Sequence, residues 1–184
     1  MVVDVVWVVV VGSIAGALVS GVLAVGAWRD RSVPGAEPFA WLMVAAVGWC
    51  LLNIVWLTTE VQAVAAGVFV LTRLISGLIV GLWVIFALSY TGWEEFLSPT
   101  RIAGLLLVST VYGLLALTDP LHGLIGVNVV QLPEAGLTLF VGDTGLVYQL
   151  QTGLHATLIA AGYVLFGEFL LRSRNLYRKQ TFAI

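Results

Sequence analysis

The sequence predicts an all-α integral membrane protein, a bundle of five transmembrane helices, and the reading rests on charge spacing and composition. Eight basic and 10 acidic residues make only 18 charged positions in 184, almost all in short clusters between long apolar runs. The runs span 2–28, 39–58, 63–90, 102–117 and 146–171. Each approaches or exceeds the roughly 20 residues that an α-helix needs to cross a hydrocarbon core about 30 Å thick. Within that core every backbone N–H and C=O must be satisfied inside its own segment, so helices are the consistent reading. Composition agrees: 60% of residues are hydrophobic and the mean hydropathy is +1.06, far more apolar surface than a soluble domain tolerates.

The elements follow in order. The first run begins Met-Val-Val-Asp with no basic n-region and is too long for the apolar stretch of a signal peptide, so it reads as a span. Arg31-Ser32-Val33-Pro34-Gly35-Ala36 turns the chain into the second run. Gly92, after Ser89-Tyr90-Thr91, suits a left-handed cap closing the third. Ser98 and Pro99 read as an N-cap and first helical residue opening the fourth. The connection 118–145 is the sizeable region outside the membrane. In it the β-prone stretches 127–132 and 137–141 flank Pro133, Glu134, Ala135 and Gly136, which predicts a small hairpin. No internal repeat is visible, and residues 1–184 read as a single domain.

Charge asymmetry orients the bundle. Arg29, Arg31, Arg101, Arg172, Arg174, Arg178 and Lys179 all fall on one side of the five runs. Asp4, Glu60, Asp119, Glu134 and Asp143 fall on the other, without a single Lys or Arg. The positive-inside rule makes the basic side cytoplasmic. The expectation is a multi-pass protein of the cytoplasmic membrane with its N-terminus outside, its C-terminus inside and the hairpin extracellular. Trp7, Trp28, Trp41, Trp56 and Trp93 lie near run ends, where an aromatic belt places them.

Several chemistries are set aside. A net charge of −2 does not imply nucleic acid, and the single Cys50 supports neither a disulfide framework nor a metal cluster. A retinal Schiff base needs an intramembrane Lys, and Lys179, in the basic tail, is the only Lys. His122 falls in a loop and His155 has no helical partner, which disfavours haem ligation. No phosphate loop, nucleophile elbow or His-Glu-x-x-His motif occurs. The chain is expected to be no enzyme and to carry no cofactor and no metal.

Polar residues inside the runs are costly in hydrocarbon and usually face a bundle interior or a cavity. Arg73 stands out, about ten residues or roughly 15 Å from the outer end of the third helix. It suits an anionic ligand or a movable ion pair; the plainer reading is a structural salt bridge or a side chain that snorkels outward. Asn53, Tyr112 and His155 occupy comparable depths on the second, fourth and fifth helices. Together the four outline a candidate ligand pocket open to the outside, with 118–145 as its lid. Taken singly, Asn53 and His155 also fit hydrogen bonds that glue neighbouring helices. Glu168 and Arg172 have the favourable i, i+4 order of a local ion pair, and the basic cluster 172–179 suits anionic headgroups.

Four short motifs carry a resemblance. Arg31-Ser-Val-Pro-Gly-Ala36, followed by Phe39 and Trp49, resembles the start of the N-terminal seven-transmembrane sensor region of prokaryotic histidine kinases. Phe86-Ala-Leu-Ser-Tyr-Thr-Gly92 is similar to that family's "F-A-L-x-Y-T-G". Thr118-Asp-Pro-Leu-His122 resembles its "T-N-P-L-H", and Tyr177-Arg-Lys-Gln180 its "Y-R-x-Q". The matches fall in order across nearly the whole chain, and the family's N-out orientation agrees with the charges. Seven Arg against one Lys fits a GC-rich genome, such as an archaeal one. The family has seven helices and then a PAS domain or kinase core, whereas the sequence ends at Ile184, where a sixth helix would begin.

The resemblance therefore implies a signal-input module, either a fragment of a longer sensor or a shortened stand-alone relative. It would pass an external or membrane stimulus to a cytoplasmic kinase or PAS-type output domain in the same or another chain. The shared motifs read as turns and caps, not as an active site. The lipid bilayer, that output domain and a second copy in a homodimer are the expected partners, with no nucleic acid. A small-solute transporter or channel subunit, or a structural membrane subunit, remains the alternative.

Overall fold

The computed structural model describes the backbone of residues 2–126, 128–132, 137–141 and 145–181, and the side chains of 6–126 and 145–172. Its helices are α1 (Val2–Arg29), α2 (Ala36–Thr58), α3 (Gln62–Tyr90), α4 (Pro99–His122) and α5 (Leu146–Thr181). Among the described residues, five helices are long and apolar enough to cross a membrane. Between α4 and α5, β1 (Asn128–Leu132) pairs antiparallel with β2 (Leu137–Val141), Asn128 opposite Val141 and Leu132 opposite Leu137. The expected turn at Pro133, Glu134, Ala135 and Gly136 lies outside the described residues, as do the side chains of Asp4, Glu134, Asp143 and the Tyr177–Gln180 motif.

Local chemistry sets the helix ends. Ser98 Oγ accepts the Arg101 N–H at 3.4 Å, with Pro99 in the first turn of α4. Gly92, at φ +83°, follows the α3 C-cap Thr91, and Gly35, at φ +82°, opens α2. A 3-10 turn, Glu94–Phe96, bridges α3 and α4; no apolar pattern marks it in the sequence.

The fourth helix departs from its apolar run. Residues 118–122, expected in the loop, form the last turn of α4, with Pro120 inside the helix. Polar side chains extend it past the hydrophobic segment. Thr118 Oγ1 donates to the Leu114 carbonyl at 3.0 Å, Asp119 Oδ1 accepts the buried Ile125 N–H at 2.7 Å, and His122 Nδ1 accepts the Leu124 N–H at 3.0 Å. With Nδ1 an acceptor, Nε2 carries the proton and donates to Thr118 Oγ1 at 3.0 Å, a geometry that only the neutral ring completes.

The third helix is the centre of the bundle. It packs against α2, α4 and α5, while α1 packs on α2. The outward faces of α1 and α5 remain apolar, with Val8, Leu18, Val22, Val164 and Leu170 exposed, as helices facing lipid require.

At the α3–α4 contact small residues replace apolar bulk. Gly77 and Gly81 of α3, four apart, meet Ser109 of α4, and Gly113, four residues beyond Ser109, meets Leu74 of α3. A Cβ at Gly77 would stand 2.7 Å from Thr110 Cα, and one at Gly113 would stand 2.6 Å from the Leu74 N. Such spacing lets backbones approach where lipid removes any hydrophobic drive between helices. Gly162 of α5 makes similar room for Trp83, whose Nε1 donates to the Ile159 carbonyl at 3.2 Å.

At the far end of α3, the rings of Phe39, Trp83, Phe86, Tyr90 and Phe166 stack with centroids 5.1–6.2 Å apart. They lock α2, α3 and α5 together with geometry worth about 0.5–1.5 kcal/mol per pair beyond burial.

The close approach is directly testable. Gly77→Ala and Gly113→Ala should each lower resistance to unfolding in mixed micelles by about 1–3 kcal/mol, the usual cost of overpacking. Gly12→Ala, whose added Cβ meets nothing within 4 Å, should leave it unchanged.

Candidate functional site

Two of the four polar residues singled out in the sequence share a cavity of about 220 Å³ between α2 and α3. The second helix contributes Trp49, Asn53 and Trp56, and the third Phe69, Thr72, Arg73 and Ser76. The helical repeat explains the grouping. Positions 49, 53 and 56 fall on one face of α2, and 69, 72, 73 and 76 fall on one face of α3. At 1.5 Å per residue, Arg73 lies about 16 Å along α3 from Gln62, and Asn53 about 8 Å from the end of α2 at Thr58. Strand β2 rests against both helices, at the end where α2 finishes and α3 begins.

Donors dominate the cavity. Arg73 Nε and Trp56 Nε1 are buried and meet no acceptor among the described residues. Leaving a buried N–H unpaired costs about 1–3 kcal/mol, so two in one cavity of a helical bundle call for a partner. Asn53 Nδ2 spends one hydrogen on the Trp49 carbonyl at 2.8 Å and keeps another. Ser76 Oγ donates to the Thr72 carbonyl at 2.8 Å. The Arg73 guanidinium carbon stands 5.0 Å from the Phe69 ring centroid, a cation–π contact that holds the charge over an aromatic face. The ion pair among the described residues lies elsewhere, between Glu168 and Arg172.

Tyr112 and His155 are placed apart from this cavity. Tyr112 is buried behind Phe69, in a cluster with Ala65, Ala116 and Ile125, its ring edge-on to Tyr148 at 6.1 Å. Phe69 thus touches Arg73 on one side and the Tyr112 cluster on the other. His155 belongs to a second polar node: Gln151 Nε2 donates to the Ser109 carbonyl at 2.9 Å, and His155 Nε2 lies against both groups. This node ties α5 to the α4 segment that presses on Gly77. It matches the interhelical glue that the sequence offered as the plainer reading of His155.

The sequence reading missed several of these residues. The resemblance covers Trp49 and the aromatic belt covers Trp56, while the sequence reading does not single out Phe69, Thr72, Ser76 or Gln151. Helical spacing was the available signal: Phe69 and Arg73, like Gln151 and His155, stand i, i+4.

A family model, described as the N-terminal 7TM region of histidine kinase, matches residues 13–184. The chain belongs to this family. No curated protein and no solved structure matches it. As a histidine kinase 7TM region, the chain is a sensory input module of a multi-pass membrane protein, a class without catalysis of its own. The family's description names seven spans; five helices of spanning length occur among the residues described here.

The motifs shared with this family do structural work. Gly35 is wedged against Tyr90, where an added Cβ would stand 3.0 Å from the Tyr90 Cβ, so the Pro34-Gly35 turn and the Phe86–Tyr90 segment are two halves of one contact. The motif at 118–122 is the α4 cap described above.

The node at Ser109 offers a second test. Gln151→Leu and His155→Phe should each destabilise the protein, and the double variant should cost less than the sum. A double-mutant cycle in thermal unfolding should return a coupling of about 0.5–3 kcal/mol.

Proposed function

We propose that this histidine kinase region detects an external small molecule in the Arg73 cavity and passes the signal through α3 to a cytoplasmic output. The observation that carries the reading is the buried, unpartnered Arg73 Nε beside the unpartnered Trp56 Nε1. An ionisable residue in hydrocarbon marks a ligand or ion pathway by default. The clustering of Arg29, Arg31, Arg101 and the 172–179 cations at one end supports an N-out, C-in orientation. In that orientation the cavity reaches from the outer half of the bilayer to about its midplane at Arg73, and the β1–β2 hairpin is extracellular. Contact of β2 with α2 and α3 then suits a lid over the ligand.

The route inward is physical and short. A ligand on Arg73 competes with Phe69 for the guanidinium. Phe69 also packs with Tyr112, Ala116 and Ile125, so its repacking shifts α3 against α4. Close-packed interfaces move between discrete arrangements, and a few kcal/mol between two states is enough for a signal. At the other end of α3, the ring stack through Phe86 and Tyr90 hands the displacement to α2 and α5. The output receiver is a histidine kinase or PAS-type domain, in the same chain or another. Homodimerisation would bring two α5 helices side by side beneath the membrane.

Arg73→Leu should raise the half-maximal stimulus for kinase autophosphorylation by about tenfold or more, since a charged hydrogen bond contributes about 1.5–3 kcal/mol. Unchanged output and sensitivity would refute the cavity's role. Maleimide labelling of intact cells should modify a cysteine placed at Thr138 and spare one placed at Glu94; the reverse pattern would invert the bundle. Proteoliposomes of the purified chain should conduct no solute flux, which separates a sensor from a carrier.

A further inference from the structure

We infer that the α2–α3 cavity is built for one small free monocarboxylate, its carboxylate held by Arg73 and Trp56 and its apolar body against Trp49 and Phe69. The inference rests on the sensor reading above and narrows it to a ligand class.

Charge is the first constraint. Arg73 brings one positive charge, and among the described residues no carboxylate lines the cavity. A cation would meet that charge unscreened, and a dianion would bring an excess negative charge into apolar surroundings, which is costly. A monoanion balances the site.

Hydrogen-bond polarity is the second. The groups left to serve a ligand are mostly donors: Arg73 Nε, Trp56 Nε1 and the remaining amide hydrogen of Asn53. An ionised carboxylate is acceptor-only, with about four lone-pair sites, and Arg presents parallel N–H groups that match its two oxygens. A neutral polyol would set its own hydroxyl donors against these.

Size is the third. A cavity of about 220 Å³ is smaller than the roughly 300–1,000 Å³ of sites for drug-sized ligands, so the ligand is small. Trp49, Trp56 and Phe69, three of its seven lining residues, supply an aromatic wall for an apolar body. A lipid phosphodiester is also a monoanion. The charge sits about 16 Å along α3 from its start, about half the thickness of a hydrocarbon core of about 30 Å, which is deep for a headgroup and accessible to a small free acid.

Butyrate and its neutral isostere butyramide are the probes. The full chain in phosphatidylcholine nanodiscs is titrated by calorimetry with each. Butyrate should bind about tenfold or more tightly than butyramide, Arg73→Gln should abolish the difference, and Trp56→Phe, which keeps a ring and removes the N–H, should weaken butyrate about fivefold or more. Equal binding of the two probes, or butyrate binding indifferent to both variants, overturns the inference; if Arg73→Gln does not fold, Trp56→Phe decides alone. Chloride or inorganic phosphate binding as tightly as butyrate overturns it in favour of an inorganic anion. Loss of butyrate binding in phosphatidylglycerol nanodiscs overturns it in favour of a lipid headgroup, and retained binding supports the free acid. Failure here is distinct from failure of the sensor reading. Arg73-dependent kinase output without butyrate binding sinks the ligand class alone, and butyrate binding without any change in output sinks the sensor role alone.

Discussion

The close approach of α3 and α4 is the constraint on which the rest of the bundle depends. Lipid supplies no hydrophobic force between helices, so two spans stay together only where backbones come near enough for dense packing and interhelical hydrogen bonds. Gly77, Gly81, Ser109 and Gly113 provide that approach. Because α4 is pressed so tightly on α3, the Ser109 carbonyl lies where Gln151 and His155 of α5 reach it. One small-residue crossing therefore positions three helices, and the ring stack at the other end of α3 repeats the arrangement with large side chains.

Polar groups are used sparingly, and in two different ways. At the end of α4, Asp119, Thr118 and His122 spend their hydrogen-bonding capacity on backbone and on each other, and they build a helix cap from a stretch that looks like loop. At Ser109, Gln151 and His155 do the same between helices. The Arg73 cavity differs: its donors exceed its acceptors, and its charge leans on Phe69 instead of a carboxylate. Among the described residues, the capping and interhelical side chains named here have hydrogen-bond partners, whereas Arg73 Nε and Trp56 Nε1 in the cavity have none. That contrast, more than the presence of an arginine in a span, is what supports the proposed binding role of the cavity.

Phe69 gives the cavity mechanical meaning. It is buried at 3% exposure and touches the guanidinium on one side and the Tyr112 cluster on the other. In the proposed reading, a ligand that draws Arg73 away would change what Phe69 packs against, next to the tight α3–α4 crossing. Tyr112 packs in the Phe69 cluster and does not line the cavity.

Much of the fold was legible in the residues themselves. Five apolar runs fixed five helices because in hydrocarbon the backbone has no other partner than itself, and Ser98, Gly92 and the Pro34-Gly35 turn marked ends through chemistry that acts within a few residues. The family was legible too, from motifs that are turns and caps and so depend on local sequence. What the sequence left open depends on neighbours far along the chain. That α4 continues through Pro120 to His122 required side-chain bonds to residues beyond it. That Arg73 and Asn53 face one cavity with Trp49 and Trp56, while Tyr112 lies behind Phe69 and His155 on another node, was decided by the rotation of each helix about its axis. Depth follows from counting residues; azimuth follows from which small residues let which backbones touch, and only the packed bundle expresses that.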